Sequence, residues 1–232
     1  MDFKEADIRA KQLRKTLSEA NRDYYVLSSP TISDFEFDAL MRELQDIEKE
    51  FPALDTPDSP THHVGSDLGD KGFAKYPHRY PMLSLGNTYS IAEIEEFSDR
   101  VSKALEGERE FTYSCELKFD GTAICLTYRD GVLARALTRG DGAVGDDVTR
   151  NVLMIPSIPR KLKGTSWPRE FEIRGEIFMP FSSFDALNAE KEELGEPLFA
   201  NPRNAASGSL KLLDPEEVAH RGLWCTLYHM LG

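Results

Sequence analysis

The sequence predicts an α+β protein, with a small N-terminal helical domain followed by a larger antiparallel-sheet domain. Three observations carry that expectation. Apolar residues recur every three or four positions as far as residue 52. A stretch with five prolines and three glycines then runs from 52 to 83. Beyond residue 110 the period shortens to two, and Asp130-Gly131 separates two such runs, a strong short-range signal for a β-hairpin. The proline- and glycine-rich stretch reads as a linker by composition, and sets domains of 1–68 and 69–232.

Residues 4–27 read as a first helix on Ile8, Leu13, Leu17, Tyr24 and Leu27, broken by Ser28-Ser29-Pro30. A second starts at Ser33, with Glu36 three residues on as a capping box. Phe37, Leu40, Leu44, Ile47 and Phe51 mark its apolar face, and Pro52 ends it. Asp34 and Asp38 lie one turn apart on one side. They either complement the helix dipole or accept hydrogen bonds from a polar or cationic ligand, with Tyr24 and Tyr25 as aromatic walls. A third helix follows a second Ser/Glu pair, Ser90 and Glu93, with Ile91, Ile94, Phe97, Val101 and Leu105 as its expected buried face. Strands are expected at 114–120, 122–129, 132–139, 171–178 and 223–231, and an exposed helix at 182–194.

Composition excludes several classes. Hydrophobic residues make up 40% of the 232, too many for a disordered chain. No apolar run approaches the roughly 20 residues that cross a bilayer, and the N-terminus lacks a secretory pattern, so a cytoplasmic protein is expected. Three widely spaced cysteines, Cys115, Cys125 and Cys225, suggest reduced, buried thiols with neither a disulfide frame nor a zinc site. Of the histidines, the adjacent pair His62-His63 is a poor metal chelate, because neighbouring side chains rarely converge. The net charge of −12 opposes tight binding to a phosphate backbone unless a local basic patch, a metal ion or another domain supplies charge. Gly140, Gly142 and Gly145 match G-x-G-x-x-G literally. They follow a hairpin strand, however, and Asp146 and Asp147 would repel a pyrophosphate. A tight loop that needs positive φ fits better.

The chemistry concentrates in Ser114-Cys115-Glu116-Leu117-Lys118-Phe119-Asp120-Gly121. As a strand it would put Cys115, Leu117 and Phe119 on one face and Glu116, Lys118 and Asp120 on the other. The charged row is either a solvated ion-pair row or a reaction centre. An ammonium has no lone pair to attack with, and two carboxylates hold its proton in place. A nucleophilic lysine here therefore needs a cation nearby. Arg139, at the end of a neighbouring strand, is a candidate. Glu176, on the strand that also carries Glu172 and Arg174, is a candidate acceptor for a ribose hydroxyl or ligand for Mg²⁺. A lysine, carboxylates and an arginine on a sheet suit phosphoryl or nucleotidyl transfer.

These residues resemble a known family. Glu116-Leu117-Lys118-Phe119-Asp120-Gly121 resembles the K-x-D-G motif of the covalent nucleotidyltransferases, which include DNA ligases, RNA ligases and mRNA capping enzymes. The surrounding text is more specific. DSPTHHVGS at 58–66, PMLSLGN at 81–87, TRGDG at 138–142, IRGEIFMP at 173–180 and FANPRNAASGSL at 199–210 are similar to the bacterial NAD-dependent DNA ligases. SDFEFDALMREL at 33–44 is similar to their small helical domain, which other ligases lack. The resemblance spans essentially the whole chain.

It implies an ATP-grasp-like DNA ligase/mRNA capping nucleotidyltransferase domain at 69–232 and a helical domain at 1–68 that binds the nicotinamide mononucleotide (NMN) half of NAD⁺. Lys118 would attack NAD⁺ to form a lysyl-AMP intermediate and release NMN, for sealing nicks in double-stranded DNA during replication and repair. Lys118 and Asp120 carry the catalytic roles by this likeness. Glu116, Arg139, Glu176, Ser84 and Leu85 line the adenosine side. Tyr24, Tyr25, Asp34, Phe35, Glu36, Phe37 and Asp38 line the nicotinamide side. Arg203 and Lys211 would touch the DNA backbone, as basic side chains that position phosphates do. Mg²⁺ is expected with the nucleotide, and the chain is expected to act as a monomer away from any membrane.

The sequence departs from the family at two positions. Many members have histidine where Tyr25 stands and tyrosine where Phe37 stands, so Phe37 lacks a hydroxyl. The resemblance also implies an N-terminal fragment, without two later pocket lysines, an OB-fold, a four-cysteine zinc module, a helix-hairpin-helix domain and a BRCT domain. A chain that binds NAD⁺ or adenosine-type ligands without efficient chemistry is a competing expectation. An ATP-dependent nucleotidyltransferase is another, disfavoured by the helical domain.

Overall fold

The computed structural model describes residues 1–25, 30–62, 72–107 and 110–232. By their contacts they divide into two units, Met1–Met82 with Phe119–Gly232, and Leu83–Lys118. The expected domain boundary near residue 68, like Leu27 and His63, lies outside the described residues.

The first unit opens with a helical hairpin, α1 (Phe3–Tyr25) and α2 (Asp34–Glu50). Ser33 caps α2 as the sequence predicts. Its hydroxyl accepts from the Glu36 N–H at 3.2 Å, and the Glu36 carboxylate accepts from the Ser33 N–H at 2.9 Å. The α1 stripe differs from the expected one. Ala6, Ala10, Leu13 and Leu17 are buried, together with Leu44 and Ile47 of α2 and Leu54 beyond it, while Ile8 faces solvent. Alanines are what let two helices approach closely, but they add little to a hydrophobic pattern.

Charge clamps the same hairpin. Arg9 donates to both oxygens of Glu43 at 2.6 and 2.7 Å. Glu48 is buried, yet Ser59, Thr61 and Arg14 all donate to it. Burial pushes its carboxyl up, and these three partners together hold it below the usual carboxylate range. Ser59 and Thr61 sit in the proline-rich stretch, so its first part is packed structure and not a spacer.

The sheet elements follow. β1 (Lys75–Pro77) pairs antiparallel with β4 (Val144–Asp146). β2 (Thr122–Arg129), β3 (Val132–Thr138), β5 (Glu170–Phe178) and β6 (Trp224–Leu231) form a four-stranded antiparallel sheet in the order β3-β2-β5-β6. Asp130 and Gly131 both take positive φ, 48° and 72°, the turn that matches strand twist. Helices α4 (Thr149–Val152), α5 (Phe181–Glu193), α6 (Pro202–Leu210) and α7 (Pro215–Ala219) contribute Val152, Leu187, Ala205, Ala206, Leu210 and Val218 to one core with Ile124, Leu126, Tyr128 and Ile177 of the sheet. Asn151 ties α4 to the end of α6 by donating to the carbonyls of Leu210 and Leu212 at 2.7 and 2.8 Å.

The second unit holds α3 (Ile91–Ala104). The serine half of the expected capping box is present, with the Glu93 N–H donating to Ser90 at 3.2 Å, while the Glu93 carboxylate accepts from the Tyr89 N–H at 3.1 Å. Its apolar face departs from the expected buried one. No α3 residue is buried, and Ile91 is 76% exposed. The expected strand at 114–120 is also absent: residues 110–120 carry no regular structure. Cys115 and Leu117 are exposed rather than set against a core. A strand needs a partner ladder for its backbone groups, and an alternating sequence cannot supply one alone.

Candidate active site

Residues singled out in the sequence fall into both units. Ser84, Leu85, Glu116 and Lys118 belong to the Leu83–Lys118 unit, and all four are exposed. Asp120, Arg139, Glu176, Arg203 and Lys211 belong to the other unit, with Tyr24 and the α2 residues.

The loop after Lys118 is built against β5. Phe119 stacks on Phe178, ring centroids 4.9 Å apart and planes 29° from parallel. A Cβ placed on Gly121 would lie 2.1 Å from the Ile177 carbonyl oxygen. The motif's glycine is therefore required by close approach to the neighbouring strand, not by an unusual φ. Phe119 is a correction to the expected core face: it packs on an aromatic from the charged side of β5. The signal was available, because Phe178 shares its parity with Glu172, Arg174 and Glu176.

On β5, Glu176 is half-buried, with Ala123 and Thr226 as its register partners. Burial and then the Glu176 charge push the Cys225 thiol up to about 12 and the Tyr228 hydroxyl upward. Arg174 donates to the carbonyls of Tyr80 and Pro81, both at 2.9 Å. It thereby fixes the segment just before Met82. Glu172 is buried and accepts from the Cys125 thiol at 3.6 Å. Burial first, then Glu172, pushes that thiol to about 12, so it is an inert donor. Glu172 and Arg174 of this polar row thus each have partners within the fold.

Arg139 follows β3 in the glycine loop. Its carbonyl accepts from the Gly142 N–H at 3.0 Å and meets the His78 Nε2 at 3.1 Å. Burial holds His78 below its ordinary value. Gly140 takes φ +58°, and a Cβ there would lie 1.9 Å from the Val144 carbonyl oxygen. Both facts agree with a tight turn, and β4 pairs antiparallel, which a dinucleotide-binding βαβ unit excludes.

The nicotinamide-side candidates cluster at one end of the hairpin. Tyr24 lies near the end of α1, and the Arg203 guanidinium sits 4.8 Å over its ring. The Tyr25 side chain lies outside the described residues. Asp34 and Phe35 are exposed in the first turn of α2, and Asp38 is half-buried one turn on. Phe37 packs against the hairpin core, and Glu36 serves the cap. These two have structural work that their position in the motif did not reveal.

The two basic residues assigned to DNA part company. Arg203 is partly exposed and also reaches Asp120, Nη1 to Oδ1 at 3.3 Å. Lys211 is a correction. Its ammonium pairs with Asp146 at 2.7 Å, with the two side chains only 6% and 2% exposed. It is interior structure and does not present a charge to a DNA backbone. Among the described residues, no group of three or more His, Cys, Asp or Glu side chains could hold a metal ion. No helix of the described residues is long and apolar enough to cross a membrane.

Comparison with known proteins agrees with the sequence text. Residues 3–65 match the family described as "DNA ligase-like, N-terminal NAD+-binding domain", and residues 70–232 match "NAD-dependent DNA ligase adenylation domain". A DNA ligase of Bacteroides fragilis is 58% identical over 221 residues, covering 95% of this chain and 33% of the relative. One from Porphyromonas gingivalis is 56% identical over 223 residues, covering 96% and 33%. One from Cytophaga hutchinsonii is 49% identical over 231 residues, covering 100% and 34%. The chain thus spans about a third of the length of these relatives. Two family matches in order along nearly the whole chain, with relatives this similar, place it in the NAD-dependent DNA ligase family.

Proposed function

We propose that the chain is the NAD⁺-binding and adenylating part of a DNA ligase, with 1–68 holding the nicotinamide half of NAD⁺ and 69–232 the adenosine half. Lys118 Nζ, once deprotonated, attacks the adenylyl phosphorus. A P–N bond forms, the P–O bond to NMN breaks, and NMN leaves with that oxygen. The AMP then passes to the 5′-phosphate of a nick in duplex DNA, and the 3′-hydroxyl displaces it. Glu116, Arg139, Glu176, Ser84 and Leu85 take the adenosine side. Tyr24, Tyr25, Asp34, Phe35 and Asp38 take the nicotinamide side. Mg²⁺ comes with the phosphates, held by them and by water more than by protein, as is usual for that ion. Binding the leaving half as well as the adenylyl half is what makes NAD⁺, and not ATP, the substrate.

The observation that carries this reading is the K-x-D-G loop itself. Its glycine is packed against β5, inside a stretch that matches an adenylation family. Lys118 is exposed, and a lysine becomes a good nucleophile only with a cation beside it, so we expect slow chemistry from this chain alone.

Intact-mass spectrometry with NAD⁺ and Mg²⁺ tests it. A single AMP adduct is expected at low yield on this chain and high yield on a chain of the relatives' length, lost in both with Lys118→Ala. Labelling by ATP but not NAD⁺, or no adduct on the longer chain, would overturn the reading.

A further inference from the structure

We propose that Arg203 acts in the first step, before any DNA is bound, as the cation that receives the phosphate on the nicotinamide side of the dinucleotide. The inference rests on the NAD⁺-dependent reading above and assigns Arg203 an earlier role than contact with a DNA backbone.

Its placement follows from local structure. Asn201 caps α6, accepting from the Asn204 N–H at 2.8 Å. Asn204, Ala205 and Ala206 turn inward and are buried. Arg203, just before them, keeps a side chain 27% exposed. Its guanidinium meets two groups from the two matched families. One is the Tyr24 ring, in the stretch matching an NAD⁺-binding domain. The other is Asp120, in the adenylation stretch and two residues from Lys118.

A dinucleotide joins its two nucleosides through a pyrophosphate. If one half is held at Tyr24 and the other beside Asp120, its phosphates must cross the interval that Arg203 spans, since its guanidinium meets both. The present pairing does not lock the guanidinium in place. Asp120 is 73% exposed and the contact is a single 3.3 Å approach, the kind of surface ion pair that holds weakly. A guanidinium has five N–H donors in a planar fork and binds phosphate bidentately. It can take a phosphate oxygen without leaving the Tyr24 face. In the free protein the same cation balances one of the two carboxylates that flank Lys118.

Calorimetric titration of the 232-residue chain with NAD⁺, NMN and adenosine separates the roles. Arg203→Ala is expected to weaken NAD⁺ and NMN binding roughly ten-fold, the loss expected for a charged hydrogen bond. Adenosine, which has no phosphate, should be unchanged. Arg203→Lys should recover part of the NMN affinity, because it restores charge without the fork. Unchanged NAD⁺ and NMN binding in Arg203→Ala would overturn the inference and leave Arg203 to DNA. An equal loss for adenosine would also overturn it, by showing a structural role. Failure of the unsubstituted chain to bind NAD⁺ would remove the function reading itself, and the inference with it.

Discussion

Helices α2 and α3 begin alike and end in opposite surroundings. Each follows a capping serine whose hydroxyl accepts an N–H 3.2 Å away, and each repeats apolar residues every three or four positions. In α2 the face meets α1, and Leu44 and Ile47 are buried. In α3 no residue is buried, and Ile94 stays 56% exposed. The two lysines that mattered in the sequence divide the same way. Lys211 is enclosed with Asp146, while Lys118 is exposed. An amphipathic or charged pattern says where a face lies. Only the partner surface decides whether that face stabilises the fold or waits for something else.

The widest gap is expected between those lysines. Lys211→Ala leaves the Asp146 carboxylate buried without its cation, and breaking a buried pair from one side costs about 3–5 kcal/mol. Lys118→Ala removes an exposed side chain and should change stability by less than about 0.5 kcal/mol. Urea unfolding of both variants checks the difference. A mild effect of Lys211→Ala would mean that Asp146 is solvated after all.

The same division explains what could be read in advance. The Asp130-Gly131 turn, the Ser33–Glu36 box and the antiparallel strands on either side of the turn were legible because each is fixed within a few residues. The partner of Lys211 was not, since Asp146 is remote in sequence and nothing about either residue marks a pair. The α1 stripe was half-legible: Leu13 and Leu17 announced it, whereas Ala6 and Ala10 did not. The stretch around Lys118 was misread as a strand because pairing is a property of two segments, and the text of one cannot supply the other. Gly121 shows why the motif has a glycine there, since a Cβ would lie 2.1 Å from the Ile177 carbonyl oxygen.

A smaller but cleaner test compares truncations in the two apolar faces. Leu44→Ala empties a fully buried site and should cost about 2–5 kcal/mol. Ile94→Ala, at a half-exposed site, should cost less than about 0.5 kcal/mol. If Ile94→Ala proves as costly as Leu44→Ala, the α3 face is covered in solution.

The smallest effect removes the difference between the two helices, because a cap acts within its own first turn. Ser33→Ala and Ser90→Ala each delete one acceptor for a first-turn N–H, worth about 1 kcal/mol to the helix that carries it. The consequences should nevertheless be read in different observables. The α2 helix is part of a cooperative core with α1, so Ser33→Ala should shift the unfolding midpoint of the hairpin. The α3 helix has no buried residue to couple it to the rest, and isolated helices of its length are marginal in water. Ser90→Ala should therefore lower helical circular dichroism and speed amide exchange in 91–104, while leaving the unfolding midpoint where it was. Equal midpoint shifts from the two variants would show that α3 unfolds together with the sheet.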